Sequence, residues 1–498
     1  MKLPDFLPLK IAQSGSLPTQ SRCQGLDQLL VLLPPKPRRE LFNALPQGAH
    51  LQRSFQRGSQ KGQGTVSSCL SNSRATTVTL STVVEDSAFA ALTWARKLVA
   101  QCHMNGAGKL GVVALGLDSP QPSLLAFAAA ADAAAFALPS YKSKPAAPGK
   151  KTLTIFGAKP RLPLEATRAA ALGNNIARWF TALPPNELTA RSYRQAVKSL
   201  GADHGLSFEF INEAALRKRG AGAFLAVSQG NADREAGILR LRYRPRSKPA
   251  LALVGKGILF DTGGTNLKPF KGMLDMHTDM QGSAVALGTI IALAVQQVPY
   301  SVDAYLAVTE NRISATAYKS QDVIKASNGT TIQVIHTDAE GRMVLADTLA
   351  IAAREQPALL IDYATLTGSC VAALTSRYSG VFSNRSNADA RLIRAGRESG
   401  ERVWPFPMDP DYEDALSSEV ADMKQCAADG SGDHILAARF LMRFVPAAIP
   451  WIHVDLSAGQ HKGGLGHIAS EITGFGVRYT LELLRQSESP AKLAAQLE

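Results

Sequence analysis

Two carboxylates and an arginine stand close together in the stretch "VIHTDAEGRMVLADTLA", which runs from Val334 to Ala350. Asp338 and Glu340 are one residue apart, and Arg342 follows just before an apolar run with helical spacing. A segment whose only role is to turn the chain favours Gly, Pro, Asn or Ser. In an extended segment the two acids lie on the same face, where uncompensated carboxylates repel each other. This pattern predicts that the acids bind a cation.

Acids and a lysine also mark two other apolar segments. Lys256 and Asp261 flank an apolar patch in "VGKGILFDTGG", and Asp275 and Asp279 precede a helix rich in small residues in "LDMHTDMQGSA". In α/β sheets ligands bind at the carboxyl ends of strands, and acids gathered there repel unless a cation neutralises them. A single acid before a helix, such as Asp279, is equally explained as a helix cap. The carboxylates of this set are Asp261, Asp279, Asp338 and Glu340. Four carboxylates are more than one catalytic zinc ion usually binds, so they predict a site for two divalent metal ions.

The segments around these residues predict an α/β fold. Near-continuous apolar runs such as "ALALVGKGILF", "TIQVIHT", "ALLIDYATL" and "WIHVDLSAG" are typical of strands buried on both faces. Helical patterns such as "SAVALGTIIALAVQQ" separate them, and this alternation indicates a sheet between layers of helices. The chain has 498 residues, 45% hydrophobic and 19% charged, which predicts more than one globular domain. We predict a basic α/β domain over 1–160, a linker helix over 161–185 and the metal-binding domain over 186–498.

Several features predict a protein of the cytoplasm. No apolar run reaches the roughly 18 residues that span a bilayer, and the amino-terminal "MKLPDFLPLKIAQSGS" lacks the apolar core of a signal peptide. The five cysteines are scattered without a CxxC pair, which is typical of reduced thiols. We therefore expect a cytoplasmic location and no membrane partner.

The net charge of +13 is concentrated in the amino-terminal third. Residues 1–160 carry 18 Lys and Arg against 7 Asp and Glu, a difference of +11. Such a domain either binds nucleic acid or simply has a basic solvated surface. The densest basic cluster, Lys36, Arg38 and Arg39, follows a predicted strand and is as easily a solvated turn. The alternative function is that of a DNA-binding or regulatory protein, and for this domain we expect only weak, sequence-independent binding of nucleic acid.

Several motifs in register resemble one known family. "HTDAEGR" is similar to the NTDAEGR signature of the leucine aminopeptidase family, the M17 dinuclear metallo-aminopeptidases. The segments "ARWFTALPPNELT", "VGKGILFDTGG", "LKPFKGMLDMHTDMQGSAVALG", "DYATLTGS" and "ITGFGVRYTLELL" occur in the family's order. The resemblance is strong from Ala177 to Arg485 and weak in the first third. It implies two domains, a smaller α/β (macro-like) amino-terminal domain and a larger catalytic α/β domain with a central, mostly parallel sheet.

The resemblance also implies a ligand set for two divalent ions, Zn²⁺ or Mn²⁺. The tighter ion would take Lys256, Asp261, Asp279 and Glu340, and the more exchangeable ion would take Asp261, Asp338 and Glu340. Lysine is an unusual ligand, because its amine must be neutral to offer a lone pair and its free pKa lies near 10.4. Two nearby cations would favour that deprotonation, as they do for metal-bound thiols.

Two further residues take catalytic roles by resemblance. Lys268 would direct its ammonium group at the scissile carbonyl and stabilise the oxyanion, with the neighbouring Lys271 as a competitor that the family's register disfavours. Arg342 would clamp a bicarbonate ion acting as general base, because its planar guanidinium matches a planar oxyanion.

The implied activity is an aminopeptidase that releases N-terminal, leucine-like residues from short peptides with free N-termini. A water bridging the metals would attack the peptide carbonyl, and the active sites would face the interior of a homohexamer. Four residues match the family's pocket for the first side chain, although apolar residues among them are also explained as core packing: Met276, Thr365, Gly368 and Ile472. Leu366 and Gly368 match backbone contacts near the bicarbonate.

The sequence departs from the family pattern at three places. His336 stands where the signature has Asn, and His277 stands where many members have Lys. Both histidines are expected to pack or to support the metal ligands from outside, without binding a metal. The stretch "CAADGSGDHILAARFL" replaces a glycine-rich segment and is expected to reshape the edge of the pocket.

Overall fold

The computed structural model describes residues 2–84, 86–104, 106–144 and 151–497. The chain forms two compact units, of which the smaller comprises Asp5–Ala171 together with Gly463–Glu471. The larger comprises the rest of the described chain. The boundary falls within a helix, Leu164–Thr181, and the assignment of 1–160, 161–185 and 186–498 to separate roles stays a prediction.

The smaller unit is built on one six-stranded sheet. Its strands, in chain order, are β1 Lys10–Ser14, β2 Gln28–Leu33, β3 Thr65–Cys69, β4 Thr77–Thr82, β5 Lys109–Ala114 and β6 Thr152–Phe156. They lie in the order β1-β6-β5-β2-β4-β3, and only β3 pairs antiparallel with its neighbour. Its helices are α1 Gln20–Cys23, α2 Gly48–Gln60, α3 Ala88–Met104 and α4 Gln121–Ala135, followed by α5 Leu164–Thr181. All six residues of β2 are buried, as its continuous apolar run predicts.

A buried acid contributes a pH dependence to the stability of this unit. Asp132 lies in the alanine-rich α4, is 1% exposed, and neither of its carboxylate oxygens has a hydrogen-bond partner among the described residues. Burial raises the pKa of Asp132 to about 7, against a smaller lowering effect of Arg168, whose Nη2 lies 3.8 Å from Oδ1. A folded-state pKa above the unfolded value means that stability is fully present below the unfolded value and is lost as pH rises through about 7.

We therefore expect Asp132→Ala to stabilise the smaller unit at pH 8. At pH 8 the free energy of unfolding should rise by roughly 2 to 4 kcal/mol, since each pKa unit corresponds to about 1.4 kcal/mol. This increase should shrink or reverse at pH 5. Differential scanning calorimetry at the two pH values measures it, with the exposed Asp118→Ala as control. The assignment would be contradicted if the difference in melting temperature between Asp132→Ala and wild type were the same at pH 5 and at pH 8.

The larger unit contains an eight-stranded sheet and a three-stranded sheet. Its strands are β7 Ser207–Asn212, β8 Gly237–Tyr243, β9 Pro249–Asp261, β10 Ser301–Asn311, β11 Val323–Lys325, β12 Thr331–Gln333, β13 Leu359–Ala364, β14 Ser379–Ser383, β15 Val403–Pro405, β16 Met423–Lys424 and β17 Trp451–Asp455. The large sheet has the order β15-β14-β17-β13-β9-β10-β8-β7, and its four central strands, β17, β13, β9 and β10, are mutually parallel. The predicted mixed α/β fold with mostly parallel sheets is confirmed.

Helices fill the connections between these strands. They are α6 Ala190–Asp203, α7 Glu213–Lys218, α8 Gly222–Ser228, α9 Phe270–Met273, α10 Gln281–Val295, α11 Glu340–Ala353, α12 Gly368–Leu374, α13 Asp389–Ser399, α14 Asp433–Met442, α15 Val477–Ser487 and α16 Pro490–Leu497. One expected strand is mostly absent: of "TIQVIHT" only β12 is extended, and it belongs to the small sheet.

Glycines allow α10 to lie directly against the central sheet. A Cβ on Gly282 would meet the carbonyl oxygen of Tyr363 in β13 at 2.1 Å, and one on Gly255 in β9 would meet the Gly282 carbonyl oxygen at 2.5 Å. Larger side chains would force the helix away from the strands. The close approach fixes the amino-terminal end of α10 beside β9 and β13.

Within the described residues, one helical stretch, Phe270–Val295, is long and apolar enough to cross a membrane. Its most apolar window is 94% buried within the protein, as in the core helix of a soluble protein. All five cysteines are free.

Candidate metal centre

A cavity of about 480 Å³ opens at the carboxyl ends of β9, β13 and β17. This is the edge of the sheet where the sequence predicts a ligand site. Most of the predicted site residues line it: Lys256, Asp261, Lys268, Met276, Asp279, Asp338, Glu340, Thr365, Leu366 and Gly368. The sheet therefore brings together acids and lysines that lie up to 84 positions apart, from Lys256 to Glu340.

Lys256 lies at the centre of the buried part of the site and is 3% exposed. Its Nζ is 2.8 Å from Oδ2 of Asp279 and 2.9 Å from Oε1 of Glu340, and it donates to the Thr365 carbonyl oxygen at 3.0 Å. Burial alone lowers the pKa of Lys256, but the surrounding carboxylates outweigh it and raise that pKa. Gly341 makes room for this side chain, because a Cβ there would lie 2.6 Å from Nζ.

Lys268 bridges the other two acids from the loop that follows β9. Its Nζ is 2.9 Å from Oδ2 of Asp261 and 2.5 Å from Oδ1 of Asp338. Burial lowers the pKa of Lys268, but Asp261 and the other carboxylates raise it by more. The competing Lys271 is exposed and is not among the described residues that line the cavity.

Three carboxylates form a compact cluster. Oxygens of Asp261, Asp338 and Glu340 all lie within 4.8 Å of one another. Burial, with repulsion from Asp261 as the next cause, raises the pKa of both Asp338 and Glu340. Burial also raises the pKa of Asp279, despite the opposing attraction of Lys256. Such a cluster has a strong electrostatic preference for cations.

Neutral side chains hold these acids in place, and of these the sequence predicted only Thr365, as a residue of the substrate pocket. Asn311, at the end of β10, donates from Nδ2 to Oδ1 of Asp261 at 2.8 Å and to the Thr337 carbonyl oxygen at 3.0 Å. The same carbonyl oxygen accepts a hydrogen bond from the Tyr318 hydroxyl at 2.7 Å. Thr365 donates from Oγ1 to Oδ1 of Asp279 at 2.7 Å. A buried Asn at the end of an apolar strand is the one local signal that could have revealed Asn311.

Asp455, at the end of β17, shapes the opposite wall of the cavity. Its Oδ1 accepts from the backbone N–H of Leu366 at 3.1 Å, and its Oδ2 accepts from Oγ1 of Thr367 at 2.7 Å. These contacts fix the backbone that leads to Gly368 at the start of α12. Asp455 itself lines the cavity but is paired with these donors.

Two predicted site residues lie away from the cavity lining. The Arg342 side chain is 2% exposed, and its Nη2 donates to both carboxylate oxygens of Asp433, at 2.7 and 2.8 Å. Ile472 forms an isolated bridge with Gln460, which does line the cavity. Neither Arg342 nor Ile472 is among the described lining residues.

The other acids and histidines that the sequence singled out near the site differ in how deeply they are buried. Asp275 is exposed, whereas Asp279, four positions later, is buried within the cluster. His336 is exposed, and its Nδ1 accepts from the backbone N–H of Asp338 at 3.2 Å, which supports the loop. His277 is half-buried in the turn before Asp279.

The donor set fits divalent metal ions. Four carboxylates offer hard oxygen ligands on the walls of one cavity, and three of them already converge. The only cations now compensating them are lysine ammonium groups of the described chain, Lys256 and Lys268. Lys256 must lose a proton to become a ligand, and two divalent charges beside it would favour that loss.

Comparison with known proteins places the chain in a family. The profile described as the cytosol aminopeptidase family, catalytic domain, matches residues 175–481. Curated relatives include proteins named probable cytosol aminopeptidase from Syntrophotalea carbinolica, 41% identical over 65% of this chain and 65% of that protein, and from a Synechococcus species, 37% identical over 72% of this chain and 75% of that protein. A third, from Rhodococcus erythropolis, carries the same name and is 34% identical over 78% of this chain and 81% of its own length. The chain therefore belongs to the cytosol aminopeptidase family of peptidase hydrolases.

Proposed function

We propose that this protein is a metal-dependent aminopeptidase that removes apolar, leucine-like residues from the free N-termini of short peptides. The observation that carries the proposal is the convergence of four carboxylates with Lys256 and Lys268 on one cavity. The family and the names of the relatives support peptide bonds as the substrate class.

The ligands divide between a deep and a shallow group. Lys256, Asp279 and Glu340 are in direct contact and buried, which suits a tightly held ion. Asp338 is 26% exposed in its side chain and suits an exchangeable ion, while Asp261 and Glu340 are placed to serve both. Two divalent ions, Zn²⁺ or Mn²⁺, held by these residues would supply Lewis-acid chemistry for hydrolysis of the peptide bond.

Lys268 supplies the positive charge for the reacting carbonyl. If Asp261 and Asp338 served as metal ligands, the Lys268 ammonium group that contacts them would be placed to donate to the oxygen on which negative charge develops. Its side chain is 15% exposed, so it reaches the cavity from a largely dehydrated position where such a contact is strong.

The cavity walls favour an apolar first residue. Met276, Leu366, Val371 and Leu456 line the cavity beside the charged cluster. A substrate with a free α-amine would place that amine at the buried acids and its side chain against these walls. Ile472 would support the cavity wall indirectly, through its β-bridge to Gln460.

Other properties expected from the sequence stay part of the proposal. A homohexamer enclosing the active sites would restrict substrates to short peptides, and light scattering tests that assembly. The family name accords with a cytoplasmic location. The names of these relatives give no support to nucleic-acid binding. The side chains of the basic cluster, Lys36, Arg38 and Arg39, are exposed, as in a solvated turn.

The proposal is tested with a panel of aminoacyl-anilides in the presence of Mn²⁺, Zn²⁺ or Co²⁺. We expect hydrolysis of leucine-like substrates and a rate lower by about 10²-fold or more for their N-acetylated forms, because acetylation removes the free amine that would orient the substrate at the buried acids. Comparable rates on free and acetylated substrates would exclude the proposed binding mode. Activity unaffected by metal removal would exclude the metal dependence.

A further inference from the structure

The buried Arg342 already has a negatively charged partner within the chain. Both carboxylate oxygens of Asp433 accept from its Nη2, at 2.7 and 2.8 Å, and its Nη1 donates to the Gln425 carbonyl oxygen at 3.2 Å. Its Nε is the one guanidinium nitrogen without a partner among the described residues. The side chain of Asp433 is 27% exposed, so solvent reaches the acidic partner of this pair while the guanidinium is buried.

Local structure fixes Asp433 in this position. It is the first residue of α14, a ten-residue helix whose amino-terminal end favours a negative charge. The next residue, His434, donates its backbone N–H to Oγ of Ser369 at 2.9 Å, and its ring packs edge-on against Phe406 with centroids 4.4 Å apart. Ser369 follows Gly368, which lines the cavity. The carboxylate is therefore anchored beside the proposed active site and not held by a mobile surface loop.

A bound bicarbonate ion does not fit this arrangement. An anion approaching the guanidinium would meet a carboxylate that already neutralises its charge, and two negative charges about 4 Å apart repel strongly in a partly buried site. Displacing Asp433 would instead break a charge-assisted hydrogen-bonded pair with a buried arginine. The expectation from the sequence that Arg342 clamps bicarbonate therefore conflicts with the geometry.

We propose that the anion held by Arg342 is the carboxylate of Asp433, and that this protein needs no bicarbonate. Asp433 is a positioning residue: it compensates Arg342, which lies two residues after Glu340 at the start of α11. The inference rests on the proposed aminopeptidase function for its effect on turnover, but not for its effect on anion binding. Replacing Asp433 by a small neutral residue should create an anion site that the wild-type protein lacks.

Anion binding is measured first, by nuclear magnetic resonance titration of metal-loaded, full-length protein with ¹³C-labelled bicarbonate. We expect Asp433→Ala to bind bicarbonate about tenfold more tightly or better than wild type, since the competing charge is removed. Asp429→Ala is the matched control, because Asp429 is an exposed acid of the same loop whose carboxylate accepts hydrogen bonds from Ser431. It should behave as wild type. Equal binding by wild type and Asp433→Ala would overturn the proposal.

Turnover is measured next, in carbonate-free buffer with and without added bicarbonate or formate. Wild type should not respond, whereas Asp433→Ala should lose about 10-fold to 100-fold in kcat and regain activity with either anion. Asp433→Asn keeps the side-chain volume without the charge, so it should lose activity and not be rescued. Stimulation of wild type by bicarbonate would refute the proposal. Absence of peptidase activity in wild type under every metal would refute the proposed function alone, and the binding titration would still decide the role of Asp433.

Discussion

Glu340→Gln is expected to reduce aminopeptidase activity by about 10³-fold or more and to lower the bound metal below the two ions per chain that a two-metal site requires. Glu340 is 1% exposed, contacts Lys256, and lies within the compact carboxylate cluster. If Glu340 serves both ions as proposed, its loss removes several kcal/mol of transition-state stabilisation, and each 1.4 kcal/mol or so corresponds to tenfold in rate. Metal analysis of the dialysed protein and steady-state kinetics on a leucyl substrate measure both effects.

The same substitution separates function from stability. Without metals, Glu340 is one of four neighbouring carboxylates, and removing one negative charge reduces their mutual repulsion. We therefore expect metal-free Glu340→Gln to melt no lower than metal-free wild type, while only wild type gains stability on adding Mn²⁺ or Zn²⁺. Asp275→Ala, which removes an exposed acid at the same turn as Asp279, should keep activity and metal. Full metal content and normal turnover in Glu340→Gln would show the assignment of this ligand to be wrong.

Lys268→Met is expected to lower kcat by about 10²-fold to 10³-fold with little change in bound metal. Methionine keeps an unbranched apolar side chain but lacks the ammonium group, so the variant loses the positive charge that we propose stabilises the developing oxyanion. The effect should fall on kcat more than on KM, because the contact is stronger in the transition state than in the bound substrate. Rapid kinetics on a leucyl anilide, with metal content determined in parallel, provide the measurement.

The neighbouring lysine provides the matched control for this experiment. Lys271 stands in the same loop, is exposed, and is not among the described residues that line the cavity. Lys271→Met should therefore leave turnover close to wild type. If Lys271→Met lost activity and Lys268→Met kept it, the assignment of the two lysines would have to be exchanged.

The sequence by itself determined the fold class, the family and the chemical character of the site. The sequences of buried strands such as β9 and β13 are nearly continuous apolar runs, because both of their faces are buried. The carboxylates of the "DAEGR" stretch are recognisable because no local structural need explains them. The comparisons then confirmed the family.

Only the tertiary structure decided which charged residues meet. The family resemblance favoured Asp279 over Asp275 and Lys268 over Lys271 without a physical reason, and the fold supplies one by burying one residue of each pair in the site. Asn311 joins the site because β10 pairs in parallel with β9, which places it opposite Asp261.

The partner of Arg342 was likewise decided by the fold. Asp433 lies 91 positions later in the chain and reaches the guanidinium because α14 packs beside α11. Local patterns report the period and polarity of one element, whereas such contacts depend on how distant elements pack. For that reason a motif could identify Arg342 as an anion-binding residue, while only the packing of α14 indicates which anion it holds.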